Sequence, residues 1–253
     1  MRALVLCAGF GTRLGALTAS RPKPLLPVAG EPLVGHLLAR LGRANVREVG
    51  VNLHFLGEQL REALGSGERY GVRLHYMPER ELLGSAGSVR ANAGWLFEEG
   101  PALLCYGDVL SDHPLGELCR QHVEHGPEIT LLVHQREGGK SAALVDADGR
   151  LSRFWERPEK DPLPPGAPRW SFSGMAVLSP SLARWIRPGP ADLPADVLAP
   201  HVPELYARAL PHSGFRVAVD SPERLELAER ALADGRLRNL IPRQAPDAAP
   251  PSA

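Results

Sequence analysis

Ten residues near the start, LCAGFGTRLG at positions 6–15, place three glycines, a threonine and an arginine directly behind a short apolar run, Ala3 to Cys7. A glycine-rich turn after a buried strand lets backbone N–H groups approach a phosphate chain with no side chain in the way. Gly9, Gly11 and Gly15 fit that use, although a glycine turn alone is a common object. Arg13 adds what the glycines lack: a planar guanidinium that offers paired donors to phosphate oxygens. Further on, SRPKPLLPVAGEPL sets Lys23 between Pro22 and Pro24, with Pro27 close behind. Fixed proline φ angles stiffen the backbone that carries this ammonium. A positive charge on a pre-set segment suits a phosphate whose charge develops during a reaction. A surface arginine and a solvated lysine are the plainer readings, but the second leaves the rigid surroundings of Lys23 without a reason.

These loops need elements to hold them. Ala3 to Cys7 has the pattern of a strand covered on both faces of a parallel sheet, so helices must flank it. In EPLVGHLLARLGR, Leu33, Val34, Leu37, Leu38 and Leu41 share one helical face, and Pro32 suits the first turn. EVGVNLH predicts the next strand, and LGEQLREALGSG a helix stopped by glycines. The alternation recurs in VRLHYM, GSVRANAGWLFEE, PALLCYGDV and HPLGELCRQHVEH. Strands and helices in turn, joined by short links, predict an α/β fold: a Rossmann-like, mixed but mostly parallel sheet flanked by helices. From about residue 127 the texture becomes β-rich, in EITLLVHQ, SAALVDADGRLSRFWE and RWSFSGMAVLSP. Asp148-Gly149 marks a hairpin there, and PEKDPLPPGAP a surface loop. The chain closes with FRVAVD and SPERLELAERALADG, in which Ser221 suits an N-cap, Pro222 a first turn and Gly235 a stop. Residues 1–240 are expected to form one domain, and 241–253 a disordered tail. No internal repeat and no hexapeptide β-helix pattern is seen.

Composition removes several alternatives. Lys plus Arg equals Asp plus Glu at 29 each in 253 residues, so no global field draws the chain to nucleic acid or an anionic membrane. No apolar run approaches the ~20 residues of a membrane span, and the N-terminus is too short and glycine-broken for a signal peptide. Cys7, Cys105 and Cys119 are too scattered for a disulfide framework or a metal knuckle. Buried free thiols in strand-like runs point to a reducing, cytoplasmic compartment. His122 and His125 alone have ligand-like spacing, and a solvated helix end explains that pair better. Trp155, Trp170 and Trp185 read as core or rim. A dinucleotide-binding oxidoreductase would need an acidic residue about 20 positions after its glycines, where this chain has Arg-Pro-Lys.

Taken whole, GFGTRLGALTASRPKPLLPVAGEPL resembles the signature of the sugar-1-phosphate nucleotidylyltransferases, G-x-G-T-R-L-x-x-L-T followed by P-K-P-L-x-P-V-x-G-x-P-L. In that family the segment wraps a nucleoside triphosphate. The resemblance implies catalytic phosphate contacts at Arg13 and Lys23, with Ala8, Gly9, Gly11 and Thr12 as loop backbone. ELLGSAGSVR is similar to the family's E-x-L-G-T-A-G segment, which implies that Glu81, Gly84, Ala86 and Gly87 hold the base. LLCYGDVL resembles the strand whose terminal aspartate binds magnesium, so Asp108 is the implied Mg²⁺ ligand, at the strand end where ligands collect on open α/β sheets. Tyr106 stands where many members carry Asn. VDADGRLSRFWERPEK is similar to a strand-hairpin-strand ending in E-K-P, which puts Glu156 at the sugar hydroxyls and Arg157, in place of the usual lysine, at the sugar phosphate. In FSGMAVLSP, Phe172-Ser173-Gly174 replaces a common N-A-G, which leaves Ser173 and Gly174 on the sugar side.

The second metal aspartate is less direct. Aligned on D-I-G-T-P-E, the segment AVDSPE puts Ala218 at that position, with Asp220 two residues on and on the same strand face if the strand continues. The V/I-D-T-x-E pattern of cytidylyltransferases fits Asp220 directly, and a cap for the last helix is the alternative. The implied reaction joins a nucleoside triphosphate to a sugar 1-phosphate with release of pyrophosphate. LGSAG favours GTP with a mannose-type sugar. FSGMAVL resembles the uridylyl and thymidylyl branches, so UTP, dTTP or CTP with another sugar or a polyol phosphate is the alternative. A non-catalytic nucleotide-sugar sensor is the rival of another class: Ala218, Arg157 and Phe172 allow it, whereas Arg13, Lys23 and Asp108 oppose it. Both substrates are small molecules; neither nucleic acid nor membrane is expected as a partner, and a homo-oligomer stays open.

Overall fold

The computed structural model describes residues 1–136, 141–156 and 166–237. The first apolar run forms β1 (Ala3–Leu6), in which Ala3 and Val5 pack into one hydrophobic cluster and Leu4 into another. That is the two-sided burial a central strand requires. A 3₁₀ stretch, Thr12–Thr18, and a 3₁₀ turn, Lys23–Leu25, lead to a small hairpin of β2 (Pro27–Val28) and β3 (Glu31–Pro32), then to α1 (Leu33–Arg43). Next come β4 (Glu48–Leu53), α2 (Gly57–Leu64), β5 (Arg73–Pro78), α3 (Gly84–Ala91), α4 (Ala93–Leu96), β6 (Ala102–Tyr106), β7 (Val109–Ser111) and α5 (Leu115–His125). The β-rich part supplies β8 (Ile129–Gln135), β9 (Ala142–Val145), β10 (Leu151–Trp155) and β11 (Trp170–Leu178). Leu193–Leu198, a π-helical turn, runs into α6 (Ala199–His201), followed by β12 (Ala207–His212), β13 (Arg216–Ala218) and α7 (Pro222–Ala233).

Nine of the described strands form one mixed sheet. At its centre β1 lies between β4 and β6 and is parallel to both, and β5 extends the parallel run beyond β4. Antiparallel β11 follows β6 and carries the sheet on to β8, β9 and β10. Helices α1, α2 and α5 contribute Leu37, Leu38, Leu60 and Leu118 to the core on one face. On the other face α3 and residues 182–205 contribute Val89, Leu182, Leu193 and Leu198. The expected α/β architecture is therefore present. A third cluster lies outside the main sheet, where α7 packs Ala228 and Ala231 against Val217 of β13, Leu110 of β7 and Val28 of β2.

Three local outcomes concern the sequence reading. The Asp148-Gly149 turn forms as expected: Gly149 has φ +85° and its N–H donates to Asp146. Strand β12 has no counterpart among the expected elements, because ARALPH lacks an apolar run and contains a proline. Among the described strands it pairs with β8, in parallel, with one further bridge from Arg208 to Arg150, and the position of Pro211 beyond that bridge tolerates a proline. The reading of His122 as part of a solvated helix end is corrected, since His122 is buried between Thr130 Oγ1 and Ser179 Oγ, each 3.0 Å away. Arg157, most of the proline-rich loop and the expected tail at 241–253 lie outside the described residues. Among the described residues no helix is long and apolar enough to cross a membrane.

Candidate active site

A cavity of about 380 Å³ opens at the carboxyl ends of β1 and β6, the edge where ligands bind in open α/β sheets. Its floor begins where β1 stops. The Cys7 and Ala8 N–H groups both donate to Asn52 Oδ1, at 2.6 and 3.2 Å, so the chain leaves the sheet in a fixed direction. Gly11 then takes φ +67°, and a Cβ there would lie 3.0 Å from Lys23 Cβ; a side chain meets both backbone strain and crowding. The Thr18 hydroxyl and the Leu14 N–H close the loop on Gly11 O. Ala8, Gly9, Gly11, Thr12 and Arg13 all line the cavity. Nothing lies within 4 Å of the place a Gly9 Cβ would occupy.

Two ion pairs frame the cavity. Lys23, buried in its proline-bounded turn, donates from Nζ to Asp108 Oδ2. Arg13, largely exposed, donates to Asp220 Oδ2, while Arg224 reaches Asp220 Oδ1 at 2.8 Å. Burial pulls the Asp220 pKa up, but Arg224, Arg13 and Lys23 together hold it below the usual carboxylate value. Strand β13 ends at Ala218, and the cap of α7 is Ser221, whose side chain accepts from the Arg224 N–H. Asp220 therefore faces the cavity from the loop between them. The backbone ties the two aspartates together, since the Val219 N–H donates to Asp108 O at 2.9 Å.

The opposite wall comes from α3 and the segment before it. Asn52 Nδ2 donates to Glu79 Oε1 at 2.9 Å, and Ser88 Oγ bonds the same carboxylate, so one buried network joins the end of β4, the Glu79 loop and α3. Glu79 lines the cavity, whereas Glu81 is exposed and outside it. Gly84 and Ser85 also line it, whereas Ala86 and Gly87 lie behind, where their N–H groups both donate to Ala191 O. A Cβ on Gly84 would stand 2.6 Å from Ala191 O, and one on Gly87 2.7 Å from Gly189 O. Small residues in this segment thus admit the 189–191 backbone. Ser85 Oγ donates to Asp192 Oδ2 at 2.9 Å, and Asp192 joins the cavity wall. Tyr106 fills the rear, its ring edge-on to Phe172 at 5.6 Å.

The positions expected on the sugar side are scattered. Glu156 lines a second cavity of about 330 Å³ with Trp155 and Pro203. Ser173 is fully buried, with Oγ 3.0 Å from His134 Nδ1. Gly174, with φ +86°, lies in an irregularity of β11 where a Cβ would stand 3.3 Å from Tyr106 Cβ. Near Asp108 and Asp220 the structure gathers three arginines that the sequence did not single out: Arg216, Arg136 and Arg224. Burial lowers the Arg216 pKa to about 10, with the two aspartates opposing that shift, so the group stays charged at neutral pH. Its Nε donates to Ser173 O at 3.2 Å.

As a donor set, Asp108 and Asp220 are hard oxygen ligands on one cavity wall, and magnesium binds through one or two carboxylates plus substrate phosphates. The residues fit such an ion. Asp108 is paired with Lys23, and Asp220 with Arg13 and Arg224; a triphosphate carrying a divalent metal would exchange those partners.

The nucleotidyl transferase family model matches residues 2–183, more than half of the chain, and the chain belongs to that family. Among curated relatives it is 29% identical over 228 residues to the mannose-1-phosphate guanylyltransferase catalytic subunit beta of Danio rerio, covering 88% of this chain and 62% of the relative. The mannose-1-phosphate guanyltransferase of Schizosaccharomyces pombe is 28% identical over 229 residues, with the same two shares. The chain therefore spans about three-fifths of the length of these relatives. Of solved structures, a Bacillus anthracis protein described as a glucose-1-phosphate thymidylyltransferase superposes with a TM-score of 0.81 at 16% identity, over 92% of this chain and 96% of its own. HddC of Yersinia pseudotuberculosis, solved with GMP-PN, superposes with a TM-score of 0.75 at 16% identity, over 91% of this chain and 99% of its own. These two share the fold.

Proposed function

We propose that this chain is a sugar-1-phosphate nucleotidylyltransferase that joins GTP and a mannose-type sugar 1-phosphate into a nucleotide sugar, releasing pyrophosphate. One observation carries the reading: Lys23 and Asp108, with Arg13 and Asp220, frame a single cavity floored by the glycine loop. The relatives named as mannose-1-phosphate guanylyltransferases support the choice of base and sugar. Loop N–H groups from Gly9 to Thr12 cradle the triphosphate, and the wall at Glu79, Gly84 and Ser85 receives the base. A phosphate monoester anion is already a competent nucleophile, so no side-chain base is required; positioning and charge stabilisation do the work. Lys23 and Arg13 meet the charge that develops on the phosphates as the sugar phosphate oxygen attacks the α-phosphorus and pyrophosphate leaves in line. Arg216, Arg136 and Arg224 attract the incoming sugar phosphate. Asp108 and Asp220 would hold Mg²⁺, which supplies charge neutralisation at the phosphate oxygens. The buried free thiols Cys7 and Cys105 favour a reducing, cytoplasmic setting.

A pyrophosphate-release assay across the nucleoside triphosphates and a panel of sugar 1-phosphates tests the reading. The fastest release is expected with GTP and mannose 1-phosphate. Release with UTP, dTTP or CTP alone overturns the choice of base, and no release with any pair replaces the enzyme with a nucleotide-sugar sensor.

A further inference from the structure

At the far end of the β7–β13 ladder the chain collects a second set of donors. Val109 pairs with Ala218 beside Asp108, and Ser111 pairs with Arg216 at the other end, where β7 runs into Asp112 and His113. Strand β12 ends there with His212. One ligand atom from each of Asp112, His113 and His212 lies within 4.8 Å of the other two. His212 Nε2 is 3.2 Å from Asp112 Oδ1, and His113 Nδ1 is 3.8 Å from the same oxygen. None of the three lines the cavity described above.

His113 is the informative member. It is 1% exposed, yet neither ring nitrogen has a hydrogen-bond partner. A buried imidazole without partners forfeits hydrogen bonds that water would have supplied, and buried polar groups in folded proteins are as a rule satisfied. The backbone around it is held, since Arg40 donates to both Ser111 O and His113 O. A Cβ on Gly214 would lie 2.1 Å from His212 Nε2 and 2.3 Å from Asp112 Oδ1, so a side chain there would intrude between the two donors.

We propose that Asp112, His113 and His212 form a binding site for a borderline divalent cation, zinc first, separate from the magnesium carboxylates of the cleft. Two imidazoles and one carboxylate make a zinc donor set, with water completing a tetrahedron. Tetrahedral zinc spaces its ligands about 3.3 Å apart, so small side-chain rotations close the present spread. The ion takes the place of the His212–Asp112 contact and gives His113 the partner it lacks. Bound there, it clamps the turn between β12 and β13 to the end of β7, one short ladder away from Asp108 and Asp220.

The test uses the full chain in excess Mg²⁺, which saturates hard carboxylate sites without competing at imidazole. After incubation with zinc and gel filtration, one equivalent of zinc is expected by elemental analysis, with a raised melting temperature. His212→Ala and the milder Asp112→Asn are each expected to weaken zinc binding at least about tenfold, the lower end of what disturbing a metal site costs. Asp108→Ala is expected to keep its zinc. Failure of the wild type to retain zinc, retention undiminished in both Asp112→Asn and His212→Ala, or loss in Asp108→Ala would overturn the site.

Discussion

Lys23 is buried and bonded to Asp108, so each group's charge is set against the other; in the proposed reaction a phosphate and a metal would take them over. Lys23→Ala and Asp108→Ala are each expected to lower turnover at least ~100-fold, the scale of losing one preorganised charge contact, as measured by initial rates of pyrophosphate release. A pair of glycine variants separates ligand binding from folding. Gly9→Ala meets nothing within 4 Å and is expected to leave the urea midpoint unchanged while weakening nucleotide binding by calorimetry. Gly84→Ala, at φ +71° and 2.6 Å from Ala191 O, is expected to cost about 1–3 kcal/mol of stability. Asp220 gives a pH signature. Its folded-state pKa lies below the ordinary one, so the stability it contributes is present above about pH 4 and fades as pH falls through the folded value. The stability gap between wild type and Asp220→Asn is thus expected to hold from about pH 7 to 5 and to shrink below about 4. A gap unchanged through strong acid would contradict the ion pairs drawn here.

At the scale of elements, the loop after β1 was legible because its chemistry is local: three glycines, an arginine and a proline-bound lysine announce themselves within twenty residues. What holds the loop was not. Asn52 belongs to a strand that reads as ordinary core, and its partners at Cys7, Ala8, Glu79 and Ser88 become visible only when β4 lies beside β1. The same limit hid Arg216, one arginine among many until β13 sets it near Asp108, and it hid the meeting of His113 with His212 across two strands. The glutamate facing the cavity is Glu79, not Glu81, because the turn before α3, whose bends residue spacing alone does not fix, carries Glu81 out to solvent. Asn52→Ala strands two backbone donors and a carboxylate in a buried place. A loss on the order of 3 kcal/mol in urea unfolding is expected, with a raised KM for the nucleoside triphosphate.

For the molecule as a whole, alternation of strand and helix was enough to fix the parallel centre, while β12, proline-bearing and without an apolar run, left no pattern to read. Several histidines whose pKa values are lowered by burial set a global pH response, His122 and His134 among them. Burial lowers the pKa values of His122 and His134 to about 4 each, so both take up protons on unfolding once pH drops below about 6.5. Stability is therefore expected to fall as pH goes from about 6.5 to 4, with a slope above one proton, and His122→Gln should remove about one proton from that slope. The most direct measurement of the chemistry follows the α-phosphate of labelled GTP in the presence of mannose 1-phosphate and Mg²⁺. Label is expected to appear in the nucleotide sugar in step with pyrophosphate, and to vanish with Lys23→Ala or Asp108→Ala; label that stays in GTP, or transfers equally well in both variants, would contradict the assignment.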